Sequence, residues 1–478
     1  MSYGSRSKGN AVFSSLSASA RRRGAARLAA ATLVSGLVSG GLLATAGVAA
    51  ADGAPQSEGG ATATLGALKT YGSAVVHDGG KDEQVAAGLF EMSVDNGGTL
   101  QTYCIDIHNP AQKEARYHET SWSGTSLNGN RNAGRIRWIL GNSYPQVNDL
   151  AALAAEAGAK GLTEQDAAAG TQVAIWRYSD GADVDAVDPQ AEKLADYLEK
   201  HARNLPEPAA SLTLDPPAVP GHPGERLGPV TVHTNADSVT VTPPSDAAAG
   251  GVKIVDKNGK AITYATDGSR IYFQVPKKAQ DGSAELTVQA STTVPVGRAF
   301  ASETRSQTQI LAGSSESTVS ATATATWAAK GAIPALSAEK NCAKGGVDIT
   351  AVNKGGKAFT FELWGAEHTI PAGQTQTVSI PLQEDQPYDF TIKGPGGYRK
   401  WFKGVLDCKT ESSTGGLRTQ TLSGPSPATV GGTATTDTNL AETGSTSATP
   451  FIAGTAIALV VIGGAALVLI RKKTPTQD

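Results

Sequence analysis

Aromatic side chains are scarce, at 5% of 478 residues, and cysteine is scarcer, with three. Neither sign of charge dominates, since 41 Lys and Arg stand against 44 Asp and Glu for a formal net charge of −3. Each shortage excludes something. Without a basic excess there is no electrostatic footprint for nucleic acid, which is not an expected partner. With few aromatics, a large compact enzyme core is disfavoured. An odd cysteine count allows an exported chain one intramolecular disulfide at most, and one thiol then needs another explanation. What abounds is small, with 55 glycines and many Ala and Thr residues. At this length two to four domains are expected, and the composition suits β-rich extracellular domains with small-residue linkers.

The two ends read as addresses. Arg6, Lys8, Arg21, Arg22, Arg23 and Arg27 precede an uncharged stretch, 28–51, that closes on Ala49-Ala50-Ala51. That order describes a secretory signal peptide over 1–51, with a retained anchor as the alternative. The arginine run is an incomplete twin-arginine motif, so the export route stays open. At the other end Leu440-Ala441-Glu442-Thr443-Gly444 is followed by the apolar run 451–470 and by Arg471-Lys472-Lys473. The run is long enough for a transmembrane helix with its basic tail in the cytoplasm. The pentapeptide resembles an LPXTG-type sortase signal in the LAXTG variant of high-GC Gram-positive (actinobacterial-type) bacteria. The resemblance implies cleavage between Thr443 and Gly444 and transfer of Thr443 to an amine of the peptidoglycan precursor. Sortase and that precursor are then anchoring partners. The mature chain is expected to be exported and covalently attached to the cell wall, membrane-tethered until cleavage. Ala441 in place of Pro leaves the sortase class open.

Between the ends, residues 62–206 read as an α+β domain. Residues 84–107 alternate as two strands around Asn96-Gly97-Gly98, with Cys104 near the end of the second. Short helices are predicted over 135–140 and 150–159. Thr163 looks like the N-cap of a helix reaching about Tyr178, with acidic residues in its first turn. Asp188-Pro189 starts another helix, with Leu194, Leu198 and Leu205 on its buried stripe. Gln172 and Trp176 lie four apart, hence on one helical face.

Tyr103-Cys104-Ile105-Asp106 and Thr171-Gln172-Val173-Ala174-Ile175-Trp176 together resemble the two motifs of the thioester (TQXA) domain of Gram-positive surface adhesins. The resemblance implies an intramolecular thioester between Cys104 Sγ and Gln172 Cδ, formed with loss of ammonia. Fold-imposed alignment raises the effective concentration of the two groups, and apolar Ile105, Ile175 and Trp176 are placed to exclude water. A lysine amine of a target protein or surface would attack the carbonyl, free Cys104 and remain as an isopeptide. This is nucleophilic chemistry stopped after one turnover, so the chain is not an enzyme on this reading, and no cofactor or metal is called for. Asp106, Thr171 and Trp176 are possible supporting residues. His108 and His118 invite a Cys–His reading but read more simply as exposed loop residues, and Tyr117 and Trp122 as packing. Asp180, Asp183, Asp185 and Asp188 lack the EF-hand spacing and read as a solvated loop with a helix cap.

Prolines at 206, 208, 216, 217, 220 and 223 mark a stiff boundary. Residues 211–329 then show short alternating strands and turns, expected to form a β-sandwich stalk domain of immunoglobulin-like type. A second such β domain is expected over 337–410. Cys342 and Cys408 bracket its strands and should pair in an oxidising compartment, which accounts for two of the three cysteines. Residues 411–439 are a Thr/Ser/Gly/Pro-rich spacer, ahead of the sorting signal at 440–478. The expected function is a wall-anchored covalent adhesin. The alternatives are a secreted cysteine hydrolase or transglutaminase using Cys104 with His108 or His118 and Asp106, and a passive structural surface protein.

Overall fold

The computed structural model describes residues 58–244 and 251–410. The predicted signal peptide, spacer and sorting signal, with Leu440, Ala441, Glu442, Thr443 and Gly444, lie outside the described residues. Among the described residues the chain is mostly β, arranged in several sheets with four α-helices. No helix among them is long and apolar enough to cross a membrane.

The first segment opens with β1 (Thr62–Asp78), β2 (Lys81–Val94), β3 (Thr99–Cys104) and β4 (Arg116–Thr120). β1 turns into β2 at Gly79-Gly80, both at positive φ, the two-residue hairpin chemistry that matches strand twist. β2 and β3 meet across Asn96-Gly97-Gly98, the predicted turn, where all three residues have positive φ. Then come α1 (Ala133–Gly141), α2 (Leu150–Ala157), α3 (Glu164–Ser179), β5 (Val184–Ala186) and α4 (Pro189–His201). Thr163 caps α3 in a reciprocal capping box with Asp166, which satisfies backbone groups that the first helical turn leaves open. Asp188 caps α4, accepting from the Gln190 and Ala191 N–H groups. Leu194 and Leu198 are buried as predicted. Leu205 is not on that stripe: it follows the end of α4 and is exposed.

The next segment supplies β6 (Leu212–Asp215), β7 (Ala218–Gly221), β8 (Arg226–Thr234), β9 (Val239–Thr242), β10 (Lys253–Val255), β11 (Tyr264–Ala265), β12 (Arg270–Gln274), β13 (Gly282–Thr293), β14 (Ala299–Ser302), β15 (Gln309–Ser314) and β16 (Glu316–Trp327). Nine of them form two sheets, β10-β12-β8-β6 and β11-β9-β13-β16-β7. The other two leave. β14 and β15 join the first segment's sheet, whose order is β2-β3-β15-β14-β4-β1-β5 with an additional β1–β2 pairing. The pairings β1–β2–β3–β15–β14–β4–β1 therefore return on themselves and close a ring. This corrects the predicted boundaries 62–206 and 211–329. The alternation of 299–314 identifies strands, but periodicity does not say which sheet a strand completes. One hydrophobic cluster runs from Ala61 to Trp327 across both segments.

A second cluster, from Ala332 to Leu406, fills the C-terminal segment. Its strands are β17 (Pro334–Asn341), β18 (Gly346–Asn353), β19 (Phe359–Leu363), β20 (Ala366–Ile370), β21 (Thr375–Pro381), β22 (Pro387–Lys393) and β23 (Arg399–Val405). They pair as β17-β18-β21, β19-β20 and β22-β23. The expected disulfide is present, with Cys342 and Cys408 joined at 2.05 Å across a sequence separation of 66. A loop of that size implies about 3–4 kcal/mol of stabilisation. The Cys342→Ser/Cys408→Ser double variant should lower the unfolding midpoint of this segment accordingly, and an unchanged midpoint in urea would refute the estimate.

Candidate functional site

Cys104 is the last residue of β3, fully buried, and takes no part in the disulfide. Helix α3 crosses beneath it. Gly170 permits a close approach of α3 to α4, since a Cβ there would stand 2.4 Å from the Ala191 carbonyl oxygen. Residues 167–176 of α3 are all buried, which puts Gln172 and Trp176 inside the domain. Gln172 does meet Cys104, as the paired motifs suggest, but at the backbone. Its Oε1 accepts from the Cys104 N–H at 3.0 Å and its Nε2 donates to the Cys104 carbonyl oxygen at 2.8 Å. The carboxamide thus satisfies both backbone groups of a buried residue at the strand's end, where the ladder no longer does so.

A different glutamine touches the sulfur. Gln309, first residue of β15, stands opposite Cys104 in the antiparallel register. It is fully buried, and its Nε2 donates to Cys104 Sγ at 3.1 Å. Its Oε1 accepts from Thr102 Oγ1 at 3.0 Å. Thr102 and Cys104 are two apart on β3 and so share a face. Tyr117 on β4 donates to the Gln307 carbonyl oxygen at 2.8 Å and bonds Ser306 Oγ at 2.6 Å, fixing the approach to Gln309.

Of the supporting residues, Thr171 donates to the Ala167 carbonyl and meets Ser143 Oγ at 2.7 Å, a bond that ties α3 to the loop following α1. Trp176 is wholly buried, and its Nε1 has no hydrogen-bond partner. Asp106 is buried, accepts from the His108 N–H at 3.0 Å and takes a second bond from Asn109 Nδ2. Asp180, at the end of α3, accepts from the Ile107 N–H at 3.0 Å. Burial, then the nearby charges of Asp407 and Asp180, pushes the Asp106 carboxyl well above its usual range. Burial raises Asp180 as well, with Asp407 adding to the effect. Three carboxyls therefore crowd the end of β3. Of the aspartates expected in a solvated loop with a helix cap, Asp180 is drawn inward instead, Asp188 is the cap of α4, and Asp185 joins Glu192, Asp196 and Glu199 around Arg177.

Of the two histidines in the alternative reading, His108 follows Cys104 by four residues and gives its backbone N–H to Asp106, whereas His118 is elsewhere. His118 lies on β4, three strands from β3 around the ring in either direction. Both its ring nitrogens are engaged, by Thr62 Oγ1 at 3.0 Å and Glu303 Oε1 at 2.6 Å. Glu384, Asp385 and Asp407 bring carboxylate oxygens within 4.8 Å of one another near the C-terminal segment's edge. Glu384 Oε1 there accepts the Cys408 and Lys409 N–H groups.

Residues 101–204 match the family model of the thioester domain. Cys104, Thr171 and Gln172 fall inside that match; Gln309 falls beyond its end. Residues 334–405 match the model of the bacterial phospholipase C C-terminal domain. Among solved structures, the Bacillus anthracis TIE protein aligns at 16% identity over 73% of this chain and 64% of its own, with a TM-score of 0.26. The thioester domain of the Enterococcus faecium TIE86 protein aligns at 15% identity over 56% of this chain and 96% of its own, with a TM-score of 0.27. The chain thus spans 64% of the length of the Bacillus anthracis protein, under two thirds. No curated protein matches the chain.

Sequence reasoning missed Gln309, Thr102, Thr308 and Asp407. The one local signal was a pair of alternate glutamines, Gln307 and Gln309, on a stretch otherwise suited to a strand. Glutamine in a strand has many ordinary explanations, and only the pairing with Cys104 distinguishes it.

Proposed function

We propose that the chain is a surface protein whose thioester domain captures an amine through a bond between Cys104 Sγ and Gln309 Cδ. One observation carries the choice of partner: the Gln309 carboxamide lies on the sulfur, while that of Gln172 is committed to the Cys104 backbone. In forming the bond, Sγ attacks Cδ, the Cδ–Nε2 bond breaks, the thiol proton goes to the leaving nitrogen and ammonia departs. Thr102 Oγ1–H, already on Oε1, faces the oxygen where negative charge develops, the position in which a fixed donor lowers the barrier. Gln172 keeps the Cys104 backbone still, and alignment of this kind is a large part of what intramolecular reactions gain. Burial of both partners keeps water from the carbonyl.

Capture reverses the roles. A primary amine, of the lysine type, attacks Cδ, the Sγ–Cδ bond breaks, the amine's proton passes to sulfur, and an amide remains on Gln309. Each molecule reacts once. With an export signal and a sortase anchor at the ends, the product would be a covalent tether between a cell wall and an amine-bearing surface.

Intact mass of the purified chain tests this reading. It should be short by one ammonia, and methylamine should restore mass and release one thiol per chain. Repeated turnover of an external substrate at Cys104, with full starting mass, would favour the hydrolase instead.

A further inference from the structure

Asp407 belongs to the C-terminal segment, immediately before the disulfide cysteine Cys408, yet its carboxyl is buried against the thioester domain's sheet. Its Oδ2 accepts from Thr308 Oγ1 at 2.5 Å. Its Oδ1 is buried and has no hydrogen-bond partner. Thr308 is the neighbour of Gln309, and its carbonyl oxygen accepts the Ile105 N–H at 3.2 Å. That bond carries the ladder one residue beyond the Cys104–Gln309 pair. Two more contacts bring the C-terminal segment onto the connection between β14 and β15: Arg305 Nε donates to the Asp385 carbonyl at 2.8 Å, and Lys403 Nζ meets Glu303 Oε2 at 3.3 Å. The connection leading to Gln309 is thereby held between the Cys104 strand on one side and the C-terminal segment on the other.

A spacer domain needs none of this. A buried carboxyl with one unsatisfied oxygen costs stability, and an apolar side chain would pack the same space without that cost. We infer that the C-terminal segment completes the reactive site, with Asp407 a positioning residue that acts through Thr308 to hold Gln309 on Cys104 Sγ. The inference rests on the Cys104–Gln309 reading above.

The groups facing Asp407 are Lys340, Glu384 and Asp385 from its own segment and Asp106 and Asp180 from the thioester domain, with the Tyr117 phenol also in its field. Burial and the neighbouring acids push the Asp407 carboxyl up to about 6, against the Thr308 hydrogen bond and Lys340. Ionised, it accepts the Thr308 hydroxyl more strongly than when protonated. Positioning is therefore better above that pH than below it.

The test uses the whole chain and methylamine-driven thiol release, with the fraction short by one ammonia measured beforehand. Asp407→Ala and Thr308→Val should each lower that fraction and slow release on the order of 10-fold or more, the scale set by small misplacements of reacting groups. The double variant should be no worse than either single one, because both remove one contact. Thr308→Ser should behave as wild type. Asp407→Asn keeps an oxygen for Thr308 and should retain the fraction, but its rate profile should lack the inflection near pH 6 that wild type shows. Wild-type fraction and rate in a folded, disulfide-bonded Asp407→Ala chain would overturn the inference while leaving the thioester intact. A wild-type chain of full mass would instead overturn the thioester reading beneath it.

Discussion

Gln309→Ala should leave the chain at its full calculated mass, unreactive towards methylamine, with Cys104 as a plain thiol. Gln172→Ala should behave differently. Its loss strips both hydrogen bonds from the buried Cys104 backbone, and each orphaned group costs about 1–3 kcal/mol. The variant should be less stable and carry a smaller reacted fraction, yet the methylamine it does take up should map to the peptide containing residue 309. The wild type makes the same distinction without any substitution, because peptide mapping of the methylamine adduct reads the acyl donor directly. An adduct on Gln172 would refute the assignment of Gln309 and restore the expectation from the paired motifs. An acyl donor must present its carbonyl carbon to the sulfur, and a carboxamide bonded at both ends to backbone groups has no freedom to do so.

The second large effect is on stability. Glu119→Ala should destabilise the chain by about 3–5 kcal/mol, as expected when one partner of a buried ion pair is removed. Glu119 and Arg298 have side chains only 1% and 6% exposed and meet at 2.9 Å. The same carboxylate accepts from the Ala61 N–H at 3.1 Å, the Ser211 N–H at 2.9 Å and the Ser211 hydroxyl. Arg298 also reaches Glu207 Oε1 at 2.6 Å and the Pro208 carbonyl at 3.2 Å. These residues lie where β1 begins, where the chain passes from α4 to β6, and just ahead of β14. The pair therefore locks the crossing at which the 299–314 hairpin enters the ring. Urea unfolding should show the loss as a lower midpoint, and the reacted fraction should fall with it because Gln309 rides on that hairpin. A loss under 1 kcal/mol would show that the crossing is held by the surrounding apolar packing instead.

Much of the local structure was legible. The β2–β3 turn needs positive φ at three successive residues, and Asn96-Gly97-Gly98 announces it. Thr163 with Asp166, and Asp188 with Pro189, announce helix starts because side-chain acceptors there are the cheapest partners for open N–H groups. The bracketing of the last β segment by Cys342 and Cys408 was equally readable. The site was half legible. That Cys104 and Gln172 come together follows from their motifs, and they do come together, but a motif names neighbours without naming which atoms face each other.

By itself the sequence determined the strand and helix starts, the disulfide and the cysteine left outside it, since each depends on residues near in the chain or on simple counting. Only the tertiary structure decided that 299–314 closes the thioester domain's ring, that Gln309 rather than Gln172 lies on the sulfur, and that Asp407 reaches the site from the far end of the described chain. The third depends on a side-chain contact between residues 99 apart, and the first two on pairing across about 200 residues, where a period-two pattern is satisfied by any strand of suitable length. Which partner it takes is settled by the packing of the whole ring.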